Sequence, residues 1–140
     1  MSAEFFLDTN VFVYSFDDQT PGKARRSQEL IEQALVEGRG CISWQVVQEF
    51  LNVALRKWER PMSMDLAGVY LQQTLAPLCR ILPSPRLWDD ALQLHQRAQF
   101  SWYDALIVAA ACECGAEVLY SEDLQDGRRV AGMTIRNPYR

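Results

Sequence analysis

The chain has 140 residues and a formal net charge of −4. Hydrophobic residues make up 49% and charged residues 23% of the sequence, which excludes intrinsic disorder and is typical of a globular protein. We therefore expect one domain over residues 1–140. The acidic balance argues against a simple nucleic-acid-binding module, because an acidic protein repels phosphate at long range. It is compatible with acidic groups that are concentrated in one pocket and neutralised by a divalent metal.

The N-terminal segment has no basic region before an apolar stretch. No apolar stretch reaches the roughly 18 residues that a transmembrane helix requires. The sequence therefore predicts a cytoplasmic protein that does not contact a membrane. A domain with this much apolar core does not need disulfide bonds, so we expect the cysteines to be reduced and buried. They are Cys41, Cys79, Cys112 and Cys114.

The first predicted elements are a strand and a helix. Glu4 to Leu7 is a short apolar run that predicts a buried strand, ending in a turn at Asp8. Thr20 followed by Pro21 is typical of a helix start, and apolar residues then recur at helical spacing. Gly38 or Gly40 ends that helix.

A second strand and helix follow directly. Cys41 and Ile42 predict a brief strand, and Ser43 is a good N-cap for the helix after it. An apolar stripe predicts the inner face of this helix, and Glu49 lies among its members. The stripe consists of Val46, Val47, Phe50, Leu51, Ala54, Leu55 and Trp58.

The second half of the chain continues the alternation. The segment from Ala105 to Cys112 is apolar on every side, which predicts a helix buried in the centre of the protein and ended by Gly115. The other predicted elements are helices over Ser63 to Leu75 and Ser84 to Ala98, and strands over Cys79 to Leu82, Glu117 to Tyr120 and Met133 to Ile135.

Strands that alternate with helices imply right-handed crossovers and a parallel sheet covered on both faces. The predicted fold class is α/β, a three-layer α/β/α sandwich with a central parallel sheet. In such sheets, ligands bind at the carboxyl ends of the strands, near the point where the strand order reverses. The acidic residues at this edge of the sheet are therefore the candidates for a functional site.

Four acidic residues reach that edge in the predicted arrangement. Asp8 and Asp123 each follow a strand, Asp104 begins the buried central helix, and Glu49 lies two turns into the second helix. No basic residues match them, and such a cluster is rarely tolerated unless a cation occupies it. Mg²⁺, or Mn²⁺ in its place, prefers oxygen ligands and shares its waters with phosphate oxygens. The cluster therefore predicts metal-assisted phosphodiester hydrolysis.

Each acid also has a structural interpretation. Asp8 is compatible with a plain turn after a strand, and Asp123 with a turn acid. Ser101 and Asp104 have the spacing of a helix-capping box, and a carboxylate there complements the helix dipole. Glu49 is compatible with the boundary of an amphipathic helix. We favour a shared site because chance rarely places four acids at one sheet edge.

Two polar residues are candidates for a supporting role. Asn10 and Ser121 are able to position the carboxylates or a phosphate, or else to form the turns in which they lie. Other chemistry fits poorly, since His95 is the only histidine and no glycine-rich phosphate-binding motif occurs. Three basic clusters are either solvated faces or RNA contacts. They are Lys23 with Arg25 and Arg26, Arg56 with Lys57 and Arg60, and Arg128 with Arg129.

The order and spacing of these motifs resemble the PIN domain family, and specifically the free-standing VapC-type toxins of bacterial toxin–antitoxin pairs. The likeness spans nearly the whole chain, and its most specific match is the segment with the third acid. The four matching segments are Phe6 to Tyr14, Ser43 to Glu49, Ser101 to Ala111 and Gly115 to Leu124.

The resemblance implies a Mg²⁺- or Mn²⁺-dependent endoribonuclease. It also implies a homodimer that a cognate antitoxin protein holds inactive, with the antitoxin's C-terminal segment reaching the active site. Asp8, Glu49, Asp104 and Asp123 correspond to the four acids of the family. Glu122 and Asp126 are alternatives for the fourth acid. We prefer Asp123 because Ser121 lies two residues before it, and the family has a hydroxyl residue followed by the acid in this order.

Two other functions remain open at this stage. A PIN fold that has lost catalysis would serve as a binding module for an antitoxin or another partner, and a PIN nuclease would also suit RNA processing or structured DNA. Four aromatic residues, Trp44, Trp58, Trp102 and Tyr103, are candidates for stacking on RNA bases, but core packing explains most of them. We expect Trp102 to be the exception because it borders the third acid.

Overall fold

The computed structural model describes residues 2–140, which form a six-stranded sheet flanked by helices. The strand order is β3-β2-β1-β4-β6-β5, in which β5 alone is antiparallel to its neighbour. The α/β/α sandwich with a mostly parallel sheet confirms the predicted fold class. The strands are β1 (Phe5–Leu7), β2 (Gly40–Ser43), β3 (Cys79–Ile81), β4 (Val118–Tyr120), β5 (Arg129–Val130) and β6 (Met133–Arg136).

The helices begin at the capping residues that the sequence indicates. The hydroxyls of Ser63, Ser84 and Ser101 each accept a backbone N–H of the following helix, and Pro21 occupies the first turn of another. The helices are α1 (Thr9–Tyr14), α2 (Pro21–Val36), α3 (Trp44–Asn52), α4 (Met64–Tyr70), α5 (Ala76–Leu78), α6 (Pro85–Ala98) and α7 (Trp102–Glu113); π-helical turns over Val53–Lys57 and Leu71–Leu75 extend α3 and α4.

The central strands are apolar because both faces of the sheet are covered. All three residues of β1 are buried, and its neighbours β2 and β4 are in register with it. The buried helix predicted around residues 105–112 is α7, which packs against α6 and β2. No helix within residues 2–140 is long and apolar enough to cross a membrane.

The sheet has its topological switch point between β1 and β4. The chain runs from β1 outward through β2 to β3 and then crosses to β4 on the other side of β1. The last residues of the two central strands, Leu7 and Tyr120, are paired. Asp8 and Ser121 therefore follow them side by side, at the position where parallel sheets bind ligands.

One local prediction is wrong, and one short strand was missed. Asp8 to Asn10 does not form a plain turn, because Asp8 caps α1 and the residues after it are helical. The two-residue edge strand β5 was not predicted, since an arginine and a valine alone form no recognisable period.

The prediction that all cysteines are reduced is also wrong for one pair. Cys41 of β2 and Cys114 after α7 are joined as a disulfide over a sequence separation of 73 residues. The packing of α7 against β2 brings these two buried sulfurs together, which no sequence spacing reveals. Cys79 and Cys112 are free and partly buried.

Candidate active site

Asp8 lies at the carboxyl end of β1 and caps helix α1. Its backbone N–H donates to the carbonyl of Tyr120 at 3.0 Å, which continues the pairing between β1 and β4. One carboxylate oxygen accepts the Thr9 N–H at 2.7 Å, and the other accepts the Ser121 hydroxyl at 2.7 Å. Only 8% of Asp8 is exposed. The strand end and the helix start thus hold one carboxylate rigidly at the switch point.

The Asp8 carboxylate is costly to ionise in this position. Burial raises its pKa from 3.8 to about 6, although the hydrogen bonds from Ser121 and Thr9 oppose the change. The charges of Glu49 and Asp123 make smaller contributions to the same increase in the pKa of Asp8. Three of the four predicted acids therefore share one electrostatic environment.

Ser121 and Asn10 connect Asp123 to this carboxylate. The Ser121 hydroxyl is fully buried, donates to Asp8 and accepts the backbone N–H of Asp123 at 3.2 Å. The Asn10 side-chain amide donates to the Asp123 carboxylate at 3.2 Å. Both predicted supporting residues thus contact predicted acids, because the loop after β4 lies along the first turn of α1.

Glu49 joins the site through α3. Its two carboxylate oxygens accept the Thr9 hydroxyl at 2.6 Å and the Gln45 side-chain amide at 3.2 Å. The same amide nitrogen of Gln45 donates to the carbonyl of Tyr103 at 3.1 Å. Glu49 is therefore held from α1 on one side and from its own helix on the other.

Asp104 lies in the first turn of α7 and is half-buried. Its backbone N–H donates to the Ser101 hydroxyl at 3.3 Å, so the capping interpretation of this segment holds for the backbone. Within residues 2–140 its carboxylate makes no hydrogen bond to another predicted acid. The connection from Asp104 to the cluster runs through the neighbouring Tyr103 carbonyl, Gln45 and Glu49.

The two alternatives for the fourth acid have other partners. Glu122 forms an ion pair with Lys23 at 2.9 Å and accepts the Tyr14 hydroxyl at 2.9 Å. Asp126 accepts the backbone N–H of Asn137 at 2.8 Å. Of the three acids in this loop, Asp123 is the one that contacts Asn10 and influences Asp8.

A family model of the PIN domain matches residues 5–132. The chain belongs to the PIN domain family. Among solved structures, the chain is similar to FitAB bound to an IR36 DNA fragment, with 19% sequence identity, a TM-score of 0.69, and coverage of 97% of this chain and 96% of that chain. At this identity the likeness is one of fold. A search of curated proteins returned no match.

The donor atoms of this PIN domain suit a hard divalent cation. They are oxygens throughout, and among the described residues no lysine or arginine nitrogen lies within 4.0 Å of the four acids. The side-chain carbonyl oxygens of Asn10 and Gln45 are buried without a hydrogen-bond partner in residues 2–140, which is unusual unless a further ligand is present.

The acids are nevertheless not drawn tightly together. Within residues 2–140, no three histidine, cysteine or acidic side chains converge closely enough to hold a metal ion. Water or substrate oxygens must therefore complete any coordination shell at this site.

Sequence reasoning missed two residues that orient the acids of this PIN domain. Thr9 lies between the conspicuous Asp8 and Asn10 and received no role of its own. Gln45 was also missed, although the sequence carries a signal for it. It is a polar residue next to apolar Val46 and Val47, and it lies one helical turn before Glu49, where its side chain can reach that carboxylate. Of the aromatic candidates, Trp102 is half-buried against the core, whereas Tyr103 is exposed.

Proposed function

We propose that this PIN domain is a metal-dependent endoribonuclease that hydrolyses RNA phosphodiester bonds, and that it is the toxin of a VapBC-type toxin–antitoxin pair. PIN domains are generally nucleases. The observation that carries the proposal is the hydrogen-bonded acid cluster at the switch point of the sheet, where Asp8, Glu49 and Asp123 interact without a basic partner.

Asp8, Glu49, Asp104 and Asp123 are the residues that we propose hold Mg²⁺, for which Mn²⁺ substitutes. When bound, the metal supplies positive charge that polarises a phosphate oxygen and lowers the pKa of a water molecule. The mutual repulsion of the acids at Asp8 supports this role, because a cation would relieve it.

The remaining polar residues orient the acids in this proposal. Ser121 and the Thr9 N–H fix the two oxygens of Asp8, and the Thr9 hydroxyl with Gln45 fixes those of Glu49. Asn10 holds the otherwise exposed Asp123. Such partners of metal ligands commonly change metal affinity or activity by about 10- to 100-fold when they are removed.

The partners belong to the proposal as well. The resemblance to VapC-type toxins supports a homodimer, an inhibitory antitoxin protein and a cytoplasmic location. The similar structure, FitAB, was solved bound to a DNA fragment, so DNA is included as a competing substrate.

A binding module is the second candidate function. The lack of a tight three-acid group within residues 2–140 favours it. In that case the acidic edge would contact a partner protein and no bond would be cleaved.

Cleavage of a labelled RNA pool by the purified protein tests the proposal. We expect cleavage with Mg²⁺ or Mn²⁺, none with EDTA, and a loss of at least about 100-fold in Asp8→Asn and in Asp104→Asn. Asp89→Asn is the matched control, since this exposed residue of α6 loses the same charge away from the site.

The possible outcomes separate the candidates. Equal cleavage in all variants identifies a contaminating nuclease, and cleavage of DNA in place of RNA overturns the substrate assignment. A folded wild type that cleaves neither nucleic acid with either metal supports the binding module.

A further inference from the structure

Tyr103 differs from the other aromatic candidates in its surroundings. Trp44, Trp58 and Trp102 are partly buried and pack against the core. Trp102 also lies edge-on to His95, with ring centroids 6.4 Å apart. In contrast, 67% of Tyr103 is exposed. Its ring contacts no other aromatic ring or cation within residues 2–140, and its hydroxyl has no hydrogen-bond partner there.

The backbone of Tyr103 is nevertheless held at the acid cluster. It directly precedes Asp104 in the first turn of α7, and its carbonyl accepts the Gln45 amide that also donates to Glu49. Gln45 itself is only 5% exposed, so this connection is rigid. The two atoms that the Gln45 amide contacts, a Glu49 carboxylate oxygen and the Tyr103 carbonyl oxygen, can only accept hydrogen bonds. The amide must therefore turn its nitrogen toward them, which fixes its orientation. Tyr103 therefore presents a free ring from a backbone position that is next to Asp104 in the chain and is linked through Gln45 to Glu49.

An exposed aromatic ring beside the acids would give the proposed ribonuclease a contact with RNA that does not depend on charge. The protein carries a net charge of −4, so its overall charge does not attract RNA to the acidic edge at long range. Stacking of a base on an aromatic ring does not depend on charge and tolerates any base, because every base has a π-face. A tyrosine beside the acids supplies such a contact at low entropic cost.

We propose that Tyr103 stacks on the base of a nucleotide adjacent to the phosphate that is cleaved. The inference rests on the proposed ribonuclease function and adds to it a residue that positions single-stranded RNA. It also replaces Trp102, the residue that the sequence favoured for this role.

Binding of a cleavable RNA to the Asp8→Asn protein tests the stacking contact directly. The RNA carries 2-aminopurine at single positions around the mapped cleavage site, and its fluorescence is quenched when the modified base stacks. We expect quenching at one position next to that site, retained in Tyr103→Phe and lost in Tyr103→Ala. Affinity should fall roughly 5- to 150-fold in Tyr103→Ala.

The same variants in the active protein separate binding from chemistry. We expect Tyr103→Ala to raise KM while kcat stays within about twofold, because stacking acts equally on the ground and transition states. Trp88→Ala is the matched control, since Trp88 is also exposed, at 47%, but lies on α6. We expect it to bind and cleave like the wild type.

Two results would overturn the inference in distinguishable ways. If wild-type protein shows no metal-dependent RNA cleavage, the proposed function fails and the stacking role fails with it. If the wild type cleaves RNA but Tyr103→Ala keeps wild-type affinity and quenching, the stacking role alone is wrong.

Discussion

At the scale of the residue, the buried carboxylate of Asp8 makes stability depend on pH. Its pKa is about 6 in the folded chain against an ordinary value of 3.8, so the folded chain retains the proton over this interval. The stability that Asp8 contributes is therefore complete below about pH 4 and is lost as pH rises through about 6. The full effect corresponds to about 3 kcal/mol in the free energy of unfolding.

We expect Asp8→Asn to remove this dependence in EDTA. Relative to the wild type, the variant should gain up to about 3 kcal/mol in the free energy of unfolding between pH 4 and pH 7. Urea unfolding at the two pH values measures the gain, and Asp89→Asn provides the reference for loss of an exposed charge. A difference between Asp8→Asn and wild type that is the same at both pH values would contradict the assignment.

At the scale of the element, the loop after β4 is held by alternating contacts. Ser121 points to Asp8, Asp123 to Asn10 of α1, and Glu122 between them to Tyr14 of α1 and Lys23 of α2. Asn10 and Tyr14 lie one helical turn apart, so the loop follows one face of α1. The ion pair to Lys23 therefore also positions the loop that carries a proposed metal ligand.

We expect a measurable coupling between Lys23 and Glu122. Their side chains are 35% and 26% exposed, so a double-mutant cycle with Lys23→Met and Glu122→Gln should give a small favourable coupling energy that decreases with salt. Arg39 and Glu4 form the comparison pair at a similar distance of 2.7 Å but with exposures of 40% and 57%. We expect weaker coupling there. Equal coupling energies in the two cycles would rule out a special role for the loop contact.

The elements were predictable to different degrees for physical reasons. Buried strands and helices with serine caps carry their own signals, so β1 and α6 lie within about one residue of their predicted bounds, and α7 begins three residues before the apolar segment that predicted it. Helix α1 was missed because a strand precedes it directly and its first residues, Thr9 and Asn10, favour turns by themselves. Its formation depends on the cap at Asp8 and on packing of Phe12 in the core.

The sheet edge at which the candidate site lies was predictable from the sequence, but the contacts between its side chains were not. Parallel strands bring Asp8 and the loop after β4 together by topology alone, so the convergence of these residues followed from the order of elements. The position of Asp104 relative to Glu49 depends on how α3 and α7 each pack against β2, which sequence periodicity does not encode. The bridging role of Gln45 and the exposure of Tyr103 depend on the same packing.

At the scale of the whole molecule, the acidic cluster lowers stability unless a cation binds to it. Asp8 is buried, Glu49 and Asp104 are half-buried, and Asp123 is exposed. None of them has a basic partner within residues 2–140, and a metal that binds only the folded chain must stabilise that chain by mass action. At a Mg²⁺ concentration 100 times its Kd, the gain is about 2.7 kcal/mol. For a domain of this size it corresponds to a rise in Tm on the order of 5–10 °C.

We therefore expect Mg²⁺ to raise the Tm of the wild type at neutral pH, and Mn²⁺ to do the same. In Asp8→Asn and Asp123→Asn the shift should largely disappear, whereas Asp89→Asn should keep it, because its charge lies on the exposed face of α6. Thermal unfolding across a Mg²⁺ titration, with ionic strength held constant by KCl, measures these shifts. An equal shift in every variant would indicate general screening of the net charge. The absence of a shift in the wild type would mean that the acidic edge binds no metal, and it would favour the binding module over the nuclease.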